Sequence, residues 1–125
     1  SGANRTKQQN KLMWLWAGEV AYQTGGQTAD EVQDDWRHSH GVPILREHDA
    51  EFCAVYDHLI APLPYEAQKR AMKKLGIKVT SAMRVKQMVT FMDTVQRECA
   101  QMGFEITDPD PELIAYQSRY RGATI

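Results

Sequence analysis

With 125 residues, 42% hydrophobic and 25% charged, the chain has the composition of an ordinary globular domain and enough length for one core, which excludes a wholly disordered chain. Its longest apolar run, 12–18, falls well short of the roughly 20 residues that span a bilayer, so no membrane segment is expected. The net charge of −1 argues against a polyanionic partner only until its distribution is read: residues 1–11 carry +3, residues 19–57 carry nine acids against Arg37 and Arg46, and residues 64–86 carry seven bases against Glu66.

Ser1-Gly2-Ala3 reads as the remnant of a cleaved tag, which leaves 4–125 as a single helical domain. Over 6–22 there is no proline, and Met13, Trp16 and Val20 recur at helical spacing, with Leu12 and Leu15 beside them. Thr6 is the expected N-cap, with Gln9 three residues on, and Gly25-Gly26 the stop. Thr28 opens a short acidic helix to about Trp36, which Gly41 and Pro43 are expected to break. Asp49 caps the next helix, whose stripe is Phe52, Val55, Tyr56, Leu59 and Ile60 and which ends at Pro62 and Pro64. Tyr65 to Leu75 follows, closed by Gly76, with Lys69, Arg70, Lys73 and Lys74 crowding its outer side.

Ile77-Lys78-Val79 is short and β-prone, the one place, near 76–80, for a strand fragment. Capped by Thr80 or Ser81, the segment 81–102 is expected to be the longest helix, since Val85, Met88, Val89, Met92, Val95, Cys99 and Met102 keep one stripe up to Gly103. Asp110-Pro111-Glu112 starts a last short helix. The fold class is therefore mainly α, a compact bundle of five or six helices. Cys53 and Cys99 lie on or beside apolar stripes, where a thiol is a small buried hydrophobe, and so sparse a set fits a reducing cytoplasm.

Three constellations bear on function. Arg5, Lys7, Asn10, Lys11 and Trp14 at the head of the first helix, with Lys69, Arg70, Lys73, Lys74, Lys78, Arg84 and Lys86 later, mix bases with a flat side chain. Single strands are held that way, by cations along the phosphates and rings under the bases. Trp14 and Trp16 point about 200° apart around a helix, so Trp14 must lie off the core stripe, on another element, a partner chain or a ligand. In the basic helix Lys69 and Lys73 form one row and Arg70 and Lys74 a second; docking of these rows on the acidic stretch 28–35 competes with binding to DNA.

The second set, His38, His40, His48, Cys53, Asp57 and His58, holds ligand types for zinc without the paired spacing of a zinc site. His48 and His58 read as surface residues. This cluster alone motivates a metal-dependent nuclease as the alternative function; no metal and no cofactor are expected. The third is the acidic stretch 19–57, which motivates an adaptor that meets a basic partner without nucleic acid. No phosphate loop and no serine elbow occur, so no catalytic residue is assigned.

Asn4-Arg5-Thr6-Lys7-Gln8-Gln9-Asn10-Lys11-Leu12-Met13-Trp14, followed by Gly18-Glu19-Val20, resembles the opening helix of the NinB/Orf family of phage recombination proteins. A second block, Thr80-Ser81, Met83-Arg84-Val85, Phe91-Met92, Gly103-Phe104 and Asp108-Pro109, is similar to a later helix and closing turn of that family. The two blocks cover about half the chain. The resemblance implies a non-enzymatic mediator that assists recombinase loading on single-stranded DNA coated by single-strand-binding protein, working as an intertwined homodimer in the cytoplasm of a bacterial host. Gln9, Asn10 and Trp14 match the first motif, and Ser81, Met83 and Arg84 the second. The strand-forming region that family members carry ahead of the first motif has no counterpart here, and residues 25–79 match little.

Overall fold

In the computed structural model the backbone is described for residues 2–121 and the side chains for residues 6–121. Six helices make up the mainly α fold, and no strand occurs among the described residues. They are α1 (Gly2–Thr24), α2 (29–48), α3 (Ala50–Leu59), α4 (Tyr65–Leu75), α5 (Val85–Gln101) and α6 (Pro111–Ser118). α2 is one continuous rod made of an α segment Ala29–Trp36, a π-helical turn Arg37–Gly41 and a second α segment Val42–His48.

Several expectations are corrected here. Thr6 is no cap, because α1 is already helical from Gly2. Gly41 and Pro43 do not break α2. Val42 N–H donates to Arg37 O, five residues back, and the widened turn gives the Pro43 ring room where an α turn would set it against a carbonyl. The segment 81–102 is not the longest helix: α5 has 17 residues and α1 has 23. Thr80–Ala82 forms a 3-10 turn, and the cap of α5 is Arg84, whose N–H donates to Gln87 Oε1 at 2.8 Å. Residues 77–79 form no strand, since Ile77 N–H is taken by Met72 O at 2.9 Å as part of the glycine cap that ends α4.

The other caps stand as the sequence implies. Thr28 and Glu31 form a reciprocal capping box, Asp49 accepts from Phe52 N–H at 3.0 Å, and Asp110 accepts from Leu113 N–H at 2.9 Å. Gly76 and Gly103 take positive φ and close α4 and α5 in the same way.

Two apolar clusters hold the bundle. The larger joins Met13, Trp16 and Val20 of α1 to Val32 and Trp36 of α2, Phe91, Met92 and Val95 of α5 and Leu113 of α6. Each large side chain so buried contributes on the order of 1.5–3 kcal/mol. The smaller joins Val42 and Leu45 of α2 to Tyr56, Ile60, Met72 and Val79, and Met83 packs on both clusters. α2 is therefore the spine. The stripe expected for α3 holds only in part: Tyr56 and Ile60 are buried, but Val55 and Leu59 face outward. The methionine stripe of α5 is core through Met92, and only Met102 is exposed. No described helix is long and apolar enough to cross a membrane.

Candidate functional site

α1 is two-faced. Gln9, Met13, Trp16, Ala17 and Val20 turn inward, while Lys7, Lys11, Trp14, Leu15 and Tyr22 are exposed and share the opposite side with Gly18. At 1.5 Å per residue this outer stripe runs about 22 Å, basic at its head and aromatic further on. Trp14 is 42% exposed, and Arg37 of α2 lies over its ring at 5.4 Å from the centroid. Trp16, by contrast, is buried and donates from Nε1 to Thr107 O at 2.6 Å, so the two tryptophans separate into a surface ring and a core ring. The extended segment after α5 is strapped along α1: Thr107 donates twice to Glu19, and the Gln23 amide pairs with both backbone groups of Glu105.

Arg37 also leads into a cleft of about 380 Å³ between α2 and the link 76–81. Lys69, Lys73 and Lys78 are its other cations, Asp34 is its carboxylate, and Thr80 and Ser81 are on its wall. Asp34 lies 3.4 Å from Arg37 and 3.5 Å from Lys73. A second contact between α2 and α4 is tighter. Lys69 donates to Asp35 at 2.6 Å and to Glu66 at 3.2 Å, and Tyr65 donates to Asp35 at 3.3 Å. Burial pulls the Lys69 ammonium down, but hydrogen bonds to Asp35 and Glu66 and their charge outweigh it and hold the group above its ordinary value.

The basic block is thus divided rather than presented as one surface. The row Lys69 and Lys73 docks on the chain's own acids, while the row Arg70 and Lys74 stays exposed. Arg84 and Lys86 stand at the head of α5 and do not line the cleft. Asn10 is exposed beside the α1 stripe; the Arg5 side chain lies outside the described residues. Of the motif positions, Gln9 is buried and Met83 is packed on both cores, which makes them structural, whereas Ser81 is exposed. Sequence reasoning missed Arg37. It sits in the most acidic stretch of the chain, and only the antiparallel pairing of α1 with α2 shows that it belongs with Trp14.

The histidines are not brought together. His38 is buried with Nε2 at 2.6 Å from Gln68 Oε1 and its ring edge-on to Tyr65, which knits α2 to α4. His40 pairs with Glu98 at 2.5 Å, and His48 lies at the end of α2. Among the described residues no three His, Cys, Asp or Glu side chains gather as a metal-holding group. Both cysteines are free. Burial pushes the Cys99 thiol up to about 11, and Cys53, hydrogen-bonded to Asp57 at 3.4 Å, is also raised; a protonated thiol is a poor nucleophile. The expectation of a buried Cys53 is corrected, because α3 turns it to an intermediate position beside Arg46 and Asp57.

Compared with protein-family models, curated proteins and solved structures, the chain matches none of them.

Proposed function

We propose that this protein is a non-enzymatic binder of single-stranded DNA of the NinB/Orf kind. In phage recombination it would assist a recombinase in loading onto DNA coated by single-strand-binding protein. The observation that carries the reading is Trp14, an exposed ring on a basic helix face, covered on one side by Arg37 and continuous through that residue with a cationic cleft. A base stacks on the part of the ring that Arg37 leaves open, Lys7 and Lys11 follow the phosphates, and the cleft takes the strand onward. Such a platform is tolerant of sequence, because every base has a π face. The reading includes a homodimer. Val55 and Leu59, exposed one turn apart on α3, are among the apolar residues open to a second copy.

Tryptophan emission tests this directly. Trp16 and Trp36 are 1% and 5% exposed, so only Trp14 is open to a stacked base. Oligo(dT) is expected to quench the solvent-exposed component of the emission, and Trp14→Phe should abolish that quenching. A Trp14→Phe variant that keeps both the quenching and the affinity of the parent refutes the platform.

A further inference from the structure

The cleft between α2 and the link 76–81 has a feature that the α1 stripe lacks: its cations already hold an anion. Asp34 reaches Arg37 on its own helix and Lys73 on α4, at 3.4 and 3.5 Å, and Lys78 lines the same cleft from the link. These contacts are long, and Lys73 is well solvated while Asp34 is partly so, so the pairing is weak. The neighbouring Lys69–Asp35 contact, at 2.6 Å with Lys69 largely covered, helps fasten α4 to α2 together with the His38–Gln68 pair. One acid pair is therefore structural and the other is loose.

We propose that this cleft is a phosphate site for a nucleotide unit of a single strand whose base lies on Trp14, and that Asp34 occupies the position a phosphate takes. This rests on the reading of Trp14 as a base platform and adds a second site to it. Arg37 is the joint. Its guanidinium lies 5.4 Å from the Trp14 ring centroid and lines the cleft, so one side chain borders both positions within the reach of one nucleotide. A guanidinium offers a phosphate two parallel donors, and the Lys73 and Lys78 ammoniums add point charges. The Thr80 and Ser81 hydroxyls supply neutral donors on the same wall. With Lys69 already held by Asp35 and Glu66, the Arg37, Lys73 and Lys78 charges against Asp34 still leave the cleft positive. A bound phosphate displaces Asp34 from Arg37 and Lys73 and leaves Lys69 with Asp35. Asp34 thereby lowers affinity for the strand.

The experiment is fluorescence anisotropy of labelled oligo(dT) against the full chain and its variants, with far-UV circular dichroism as the control for folding. Asp34→Asn should bind about twofold to fivefold more tightly, the size of one exposed charge interaction. Lys73→Gln with Lys78→Gln should bind about tenfold less tightly, with a salt slope shallower by about one. As competitors, dTMP should outdo inorganic phosphate, and Trp14→Ala should erase that advantage. Asp34→Asn with unchanged or weaker binding overturns the proposal, as does inorganic phosphate competing as well as dTMP. If Trp14→Ala alone weakens binding, the cleft assignment fails while the base platform stands; if the parent binds no oligo(dT) at all, both fail.

Discussion

Gly41 and Gly18 both lie inside helices, and the structure gives their replacement by alanine opposite signs. A Cβ at Gly41 would stand 2.6 Å from Val79 Cγ1, 3.4 Å from Met83 Cε and 3.6 Å from Phe91 Cε1, at the junction of the two cores. Val79 is buried and β-branched, so it cannot turn aside cheaply. Overpacking of this kind costs about 1–3 kcal/mol, against which alanine in a helix recovers about 0.5–1 kcal/mol. Gly41→Ala is therefore expected to destabilise by roughly 1–2 kcal/mol, a fall in Tm of about 4 °C per kcal/mol. At Gly18 a Cβ meets nothing within 4 Å, so Gly18→Ala should gain about 0.5–1 kcal/mol from the backbone alone. Urea denaturation followed at 222 nm measures both. In a Val79→Ala background the Gly41→Ala penalty should shrink, because the clashing methyl is gone. If Gly41→Ala raises the midpoint as Gly18→Ala does, the π turn has slack and the packing argument at the junction is wrong.

Asp49→Ala removes the acceptor of Phe52 N–H and should cost about 1 kcal/mol in the same denaturation, while an unchanged midpoint would deny the cap its role. The hydrogen bond from Arg46 holds the Asp57 carboxyl below its ordinary value. A depressed carboxyl adds stability above its unfolded value, near pH 3.9, and loses it as pH falls through the folded value. The Tm difference between the parent and Asp57→Asn should accordingly be present at pH 6 and vanish in acid; a difference that grows on acidification reverses the sign. Thiol titration with a disulfide reagent at pH 8 should modify Cys53 faster than Cys99, whose thiol is buried and pushed up to about 11, and equal rates in the folded protein would contradict that burial. Light scattering at micromolar concentration should give twice the 14.3 kDa chain mass, and a mass near that of one chain removes the dimer from the account.

Local signals were legible where one residue decides local geometry. Asp49, Thr28 and Asp110 cap because a short side-chain oxygen reaches the third backbone N–H, and Gly76 and Gly103 end helices because only glycine takes positive φ cheaply. The outward turn of Trp14 was legible from helical geometry, since Trp16 claims the core side. What stayed hidden depended on partners distant in sequence. Pro43 reads as a breaker until a π turn shifts the acceptor, and Val55 and Leu59 read as core until α3 is seen to touch α2 along its other edge. Arg37 reads as one base among acids until α1 lies beside it. The docking of Lys69 and Lys73 on 28–35 was posed by charge, but which row docks was settled only by geometry.

On the proposed function, the outer face of α1 and its extension through Arg37 bind single strands chiefly through phosphates and one stacked base. A salt-titrated binding curve, run on single-stranded and double-stranded DNA with the parent and with Trp14→Ala, tests it most directly. Log K for the single strand is expected to fall linearly with log salt, by about 0.7 per phosphate contact. Preference for the single strand and a loss of about 1–3 kcal/mol in Trp14→Ala are expected with it. No binding to either DNA at low salt, or equal binding to both with Trp14→Ala unchanged, contradicts it.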